Sequence, residues 1–119
     1  MQTPFTKHAG VAVPLICGPM YPCSNPELVA AVSEAGGLGV VQPIALTYVH
    51  GHELRAGLRQ IRSLTARPVG FNALIEASSR TYLTRMSQWI DVALEEGLRF
   101  FITSLGDPRW VCERVHAAG

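Results

Sequence analysis

Residues 14–43, PLICGPMYPCSNPELVAAVSEAGGLGVVQP, constrain the fold more tightly than any other part of the chain. They read as a buried strand, a loop, a capped helix, a glycine turn and a second buried strand. Asn25 is a good N-cap residue, Pro26 suits the first helical position, and Glu27 complements the positive end of the helix dipole. Leu28, Ala31, Val32 and Ala35 lie at helical spacing and predict the apolar face. Gly36 and Gly37 supply a left-handed stop, and Val40 and Val41 form the strand that follows. The loop Gly18-Pro19-Met20 leaves the C-terminal end of the first strand. In parallel α/β folds that end is where ligands bind.

The same pattern recurs along the chain. Leu54, Leu58, Ile61 and Leu64 form a stripe, with Arg55, Arg59 and Arg62 on a solvated face. Residues 69–74, VGFNAL, predict a strand. Leu83, Met86, Ile90, Ala93 and Leu94 make the next stripe, closed by Gly97. Residues 100–103 predict a fourth strand, and Asp107 and Pro108 cap a last helix carrying Val111, Cys112 and Val115. Strand and helix alternate four times, which implies a parallel sheet with right-handed crossovers. Two glycine hand-offs from helix to strand, at 34–38 and 95–98, form a weak internal repeat, and residues 117–119 look like the start of another. Residues before about 12 stand outside the repeat. Pro4, Phe5 and residues 11–13 predict a short extended arm over the N-terminal ends of the strands, away from the expected site.

At 119 residues the chain is at most one domain. A net charge of +1 and a charged fraction of 16% offer nothing to attract nucleic acid or an anionic membrane. The mean hydropathy of +0.20 is high, yet no apolar run approaches the ~20 residues of a spanning helix. The N-terminus has no apolar signal region. The odd cysteine count (Cys17, Cys23, Cys112) predicts free thiols in a reducing, cytoplasmic setting. His50 and His52 flank Gly51 without a third ligand in spacing, so no metal is expected there and an exposed helix start is. Trp89 and Trp110 fall on helical stretches and read as packing.

Three motifs in order carry a resemblance: Gly18-Pro19-Met20, Asn25-Pro26-Glu27-Leu28 with Ala35-Gly36-Gly37-Leu38-Gly39, and Arg67-Pro68-Val69-Gly70-Phe71-Asn72. From about Phe5 onward the chain resembles the N-terminal part of the nitronate monooxygenases, also called 2-nitropropane dioxygenases, and the related flavin-dependent enoyl-acyl-carrier-protein reductases. The resemblance implies a (β/α)8 barrel binding FMN at the C-terminal ends of its strands. Residues 1–119 then form a partial barrel domain, the N-terminal half with about four βα units. It implies oxidation of an alkyl nitronate by O2 to a carbonyl compound and nitrite in the complete enzyme. The alternatives are the reductase chemistry, a catalytically inactive α/β fragment, or an independent flavodoxin-like domain. Against the last, the first loop lacks the Ser/Thr/Gly-rich cradle of a phosphate site.

The residues suit such a cofactor. Gly18 lets backbone approach a flat ring, Pro19 stiffens the turn, and Met20 offers a polarisable thioether. Asn72 offers both a donor and an acceptor. The resemblance implies that Gly18, Pro19 and Met20 lie against the isoalloxazine and Asn72 on its polar edge, with Ser104 and Gly106 facing the same mouth. Each also has a purely structural reading: Gly18-Pro19 as a turn, Met20 as core filler, Asn72 as a partner for loop backbone. Many relatives carry Gln where this chain has Cys17. The family's catalytic histidine and its glycine-rich phosphate grips lie in segments beyond these residues, so no catalytic base is assigned. Two open sheet edges and an apolar inner face suggest a homo-oligomer that completes the barrel. The expected substrate is a small molecule.

Overall fold

In the computed structural model, which describes residues 1–119, four strands pair in parallel. They are β1 (Ile16–Cys17), β2 (Leu38–Val41), β3 (Val69–Leu74) and β4 (Phe100–Ser104), and they lie in the sheet in sequence order. Helices α2 (Pro26–Glu34), α3 (Leu54–Leu64) and α4 (Arg80–Glu95) connect them, α5 (Arg109–Ala117) follows β4, and α1 (Pro4–Ala9) precedes β1. Sequential order with right-handed crossovers puts all the connecting helices on one face. That is the winding of a barrel, whereas a doubly wound sheet reverses its strand order. The chain is an α/β partial barrel of four βα units.

The outer face of the sheet carries the main core. Val41, Val69, Phe71, Ala73 and Ile75 pack against Val29 and Ala30 of α2, Leu54, Leu58 and Ile61 of α3, Met86, Ile90 and Ala93 of α4, and Val111 of α5. On the inner face Leu38 and Val40 meet Ala9 and Phe5 of α1, with Phe100 and Ile102 beside them. The helix α2 sits tightly on β2. A side chain at Gly39 would place its Cβ 2.1 Å from the Val29 carbonyl oxygen. The buried Ser33 hydroxyl locks the contact, donating to the Pro68 carbonyl at 2.8 Å and accepting from the Gly39 N–H at 3.1 Å.

Several expectations change here. The buried face of α2 is Pro26, Val29, Ala30 and Ser33; Leu28 and Val32 are half-buried, and Ala31 and Ala35 are exposed. Ser33 dictates this rotation, because its hydroxyl must reach two backbone groups. Strand β1 is not buried: Ile16 is 43% exposed, because β1 has a neighbour on one side only. The N-terminal arm is helical and not extended. Thr3 and Thr6 form a reciprocal capping box, Pro4 occupies the first turn, and Gly10 ends the helix at φ 72. It does cover the N-terminal side of the inner face, with Phe5 edge-on to Phe100 at 6.0 Å between ring centroids. Leu64 is exposed at the frayed end of α3. Arg55 and Arg59 are not merely solvated: Arg55 pairs with Glu95 and Glu96, and Arg59 with Glu96, bridging α3 to the end of α4. Residues 45–49 form a π-helical turn that the sequence did not signal.

Two stability effects follow from local chemistry. The Tyr82 hydroxyl is buried without a hydrogen-bond partner. Burial, aided by the Glu76 charge, pushes the phenol up to about 12. Removing an unpaired buried hydroxyl relieves a desolvation cost, so Tyr82→Phe is expected to stabilise the chain by about 1 kcal/mol. A thermal melt checks this; a lower melting temperature would show that the hydroxyl has a partner.

Acidic carboxyls act in the opposite sense. Backbone N–H groups of Ala56 and Arg55 hold the Glu53 carboxyl below its usual 4.5, and hydrogen-bonded Arg55 does the same for Glu96. A depressed folded-state pKa contributes stability above the unfolded value and loses it as pH falls through the folded value. The denaturation midpoint is therefore expected to hold down to pH 4.5 and to drop below it. A midpoint that rises on acidification would contradict these contacts.

Candidate functional site

The strand register arranges the inner face in layers. Val40, Gly70 and Phe100 lie side by side. A Cβ at Gly70 would stand 3.2 Å from a Val40 methyl and 3.4 Å from the Phe100 ring, so the missing side chain is what lets its neighbours close an apolar floor. One layer toward the C-terminal ends, Asn72 is opposite Ile102. Gln42, one step past the Val41–Phe71 pair, flanks Asn72 on the other side. Adjacent strands are about 4.8 Å apart, which sets the backbones of Gln42 and Asn72 side by side. Ser104, paired with Leu74, forms the rim.

Asn72 is only 4% exposed. Its amide nitrogen donates to the Ile102 carbonyl at 3.1 Å and to the Ser104 hydroxyl at 3.4 Å. Both internal bonds use the donor, which leaves the amide oxygen as the group offered outward. Gln42 is the reverse. Its amide oxygen accepts from the Ala45 N–H at 2.5 Å, at the start of the π-helical turn, and its amide nitrogen makes no bond within the chain. Side by side, the mouth presents one acceptor and one donor. Gln42 was not among the residues expected from the sequence. Its signal was there, as a polar residue closing an apolar strand directly before Pro43.

The register of Cys17 with Gly39 points Cys17 to the helix side and brings Gly18 onto the inner side. A Cβ at Gly18 would meet nothing within 4 Å, and its backbone is not left-handed. Neither packing nor conformation within the chain explains a glycine there; it keeps open space above the floor. Met20 is not core filler, since it is 41% exposed. Its backbone is fixed: the Met20 N–H donates to the Ser24 hydroxyl at 2.8 Å, and the Ser24 N–H donates to the Met20 carbonyl at 2.8 Å. His50 caps the end of the π-helical turn, and is not a helix start. Its Nε2 hydrogen-bonds the Pro22 carbonyl at 2.8 Å, tying the β1 loop to the β2 loop.

The β4 loop is equally shaped. Leu105 is a non-glycine residue at φ 62 and 69% exposed, a strained conformation at the mouth. Gly106 is required by space, because a Cβ there would lie 2.5 Å from the Ile75 carbonyl oxygen. The Ile75 N–H donates to the Ser104 carbonyl at 2.9 Å, which holds the β3 and β4 loops together. The structure thus brings Asn72 and Ser104 into contact and sets Gly18 on the same inner side, while Pro19 and Met20 form the β1 rim. Gln42, Asn72 and Ser104 carry no ionisable group near neutral pH, so they can orient a ligand but not abstract a proton. No helix is long and apolar enough to cross a membrane.

The sequence matches the family described as nitronate monooxygenase over residues 2–118. A nitronate monooxygenase from Pseudomonas aeruginosa is 37% identical over 91 residues, covering 76% of this chain and 25% of that protein. A 5-hydroxy-7a-methyl-1-oxo-octahydro-1H-indene-4-carboxyl-CoA dehydrogenase from Rhodococcus jostii is 29% identical over 119 residues, 100% of this chain and 31% of that one. Among solved structures, FabK from Thermotoga maritima superposes with a TM-score of 0.81 at 27% identity, covering 100% of this chain and 35% of that chain. A nitroalkane oxidase from Streptomyces ansochromogenes gives a TM-score of 0.70 at 23% identity over 92% of this chain and 39% of that chain, which speaks to the fold alone. The chain spans 25–31% of the length of these two curated relatives.

Proposed function

The chain belongs to the nitronate monooxygenase family, and from that premise we propose that its strand C-termini hold the ring of FMN within an oxidoreductase acting on alkyl nitronates. The observation that carries this reading is the pairing of a free amide oxygen on Asn72 with a free amide nitrogen on Gln42, beside the open space at Gly18. The pyrimidine edge of a flavin carries an N–H donor next to carbonyl acceptors, so it needs an acceptor and a donor a few ångströms apart. A planar ring also needs backbone without a side chain beneath it.

When bound, the flavin would supply oxidation of the nitronate, with O2 as final acceptor, giving a carbonyl compound and nitrite. The residues of this chain do the holding. Asn72, fixed by β4, would accept from the ring N–H. Gln42, fixed by the π-helical turn, would donate to a ring carbonyl. Gly18 leaves room, and His50 keeps the β1 loop over the mouth. The reductase chemistry of the alternative would use the same cradle; nitrite release from a nitronate under air separates the two.

Equilibrium dialysis against FMN tests the cradle with two variants. Gly18→Val fills space that no other atom of the chain occupies, so it is expected to leave the melting temperature unchanged and abolish the weak flavin binding measured at high FMN. Asn72→Ala removes one hydrogen bond to the ring, about 1 kcal/mol, and is expected to weaken binding about fivefold. Unchanged flavin retention in Gly18→Val would place the flavin elsewhere.

A further inference from the structure

We propose that Arg85 on α4 is a positioning residue for the mouth: its guanidinium clamps the π-helical turn that aims Gln42 and ties down the β1 loop. Its purpose rests on the flavin reading of the mouth; its mechanism rests on contacts within the chain. The guanidinium carbon lies 5.2 Å from the ring centre of Tyr48, 5.9 Å from that of Tyr82 and 5.6 Å from that of Trp89. A cation within about 6 Å of a ring centre is attracted by the negative face of the ring, and this one meets three rings. Tyr82 and Trp89 stand one helical turn to either side of Arg85 on α4, so those two contacts are local. Tyr48 belongs to the turn at 45–49, so the third contact joins two distant parts of the chain. The Tyr48 and Trp89 rings also stand 6.4 Å apart. Arg85 pairs with no carboxylate, whereas Arg55, Arg59, Arg109 and Arg114 each do. Its charge is left to the rings.

The turn is of a kind that needs holding. A π-helical turn is a rare local state that occurs mostly as a single turn at functional sites. Here it is closed by the His50 N–H donating to the Ala45 carbonyl at 3.0 Å. Leu46 anchors its inner side in the core at 1% exposure. Tyr48, on its outer side, is 63% exposed, so burial does little to hold that ring; Arg85 and Trp89 do. Two mouth contacts start from this one turn. The Ala45 N–H donates to the Gln42 amide oxygen at 2.5 Å, and His50 Nε2 hydrogen-bonds the Pro22 carbonyl at 2.8 Å. If the outer side is released, the turn relaxes and shifts Ala45 against His50. Gln42 then loses the bond that fixes its amide, and the donor offered beside Asn72 loses its aim. The clamp sits among interior units of the fold, since β2 lies between β1 and β3, and α4 connects β3 to β4.

Amide hydrogen exchange and NMR spectra of the labelled chain, with no ligand added, test the clamp. Arg85→Ala is expected to speed exchange of the Ala45 and His50 amides about tenfold. It is also expected to move the Gln42 side-chain amide signals toward those of a free glutamine. The β3 amides are expected to keep their protection, which shows that the fold is retained. Arg85→Lys keeps a cation over the rings and is expected to restore most of the protection. Arg85→Met keeps the length without the charge and is expected to behave like Arg85→Ala. Tyr48→Leu removes the ring from the turn and is expected to do the same. Unchanged Ala45 exchange and Gln42 signals in Arg85→Ala, or equal rescue by Lys and Met, would overturn the proposal. A final FMN titration of Arg85→Ala separates the two readings. Released Gln42 signals with undiminished FMN-induced shifts would support the clamp and contradict the flavin reading.

Discussion

The Gly39→Ala chain is expected to lose its cooperative unfolding transition altogether. The added Cβ would stand 2.1 Å from the Val29 carbonyl oxygen, 2.9 Å from its carbon and 3.1 Å from its Cα. All three are backbone atoms of α2, so no side chain can swing away. The helix cannot retreat either. Ser33 is bonded to the Gly39 N–H and the Pro68 carbonyl, and withdrawal would break both and uncover Val29 and Ala30. Losses above about 4 kcal/mol come from this kind of mechanism, and a domain of ordinary stability has only about 5–15 kcal/mol in total. Gly70→Ala makes the contrast, since its nearest neighbours are side-chain atoms at 3.2 Å or more. Circular dichroism melts decide. A wild-type transition in Gly39→Ala would mean that α2 does not sit on β2 as described.

The second large effect concerns the phosphate. FMN and riboflavin are expected to bind the 119-residue chain equally, and weakly. In the proposed site the mouth residues would meet only the flavin ring. After Gly106 the sequence offers no glycine-rich turn to grip a phosphate. Charge-assisted hydrogen bonds contribute about 1.5–3 kcal/mol each, so lacking roughly three of them costs about 5–8 kcal/mol. A micromolar site, at about −8 kcal/mol, then becomes millimolar or weaker. Comparing the two ligands at equal sub-saturating concentration measures this. Much tighter retention of FMN than of riboflavin would reveal a phosphate grip within these residues.

Local punctuation was what the sequence made legible. Asn25 caps α2 through the Leu28 N–H at 2.8 Å, Pro26 opens the helix, and Gly97 ends the α4 region at φ 90. The α4 stripe buries Met86, Ile90 and Ala93 as its spacing predicts. Long-range contacts escaped. The rotation of α2 depends on a hydroxyl reaching Pro68, thirty-five residues away, and periodicity counts Ser33 as polar. The exposure of β1 depends on its place at the sheet edge, which local pattern does not encode. Of the candidate site, Gly18, Pro19, Met20 and Asn72 were singled out through motif likeness, and Ser104 through its place after the fourth strand. Gln42 lies in none of those motifs, and its role depends on lateral register with Asn72. The π-helical turn that fixes Gln42 has no local sequence signal.

The most direct test of the central claim is a map of amide chemical shifts on titrating FMN into the labelled chain. The site described here predicts concentration-dependent shifts at the Gln42 and Asn72 side-chain amides and at the backbone amides of Gly18, Met20, Ser104, Leu105 and Gly106. Shifts centred instead on the α4–α5 groove around Leu83, Ser87 and Trp110, with the mouth residues unmoved, would contradict it.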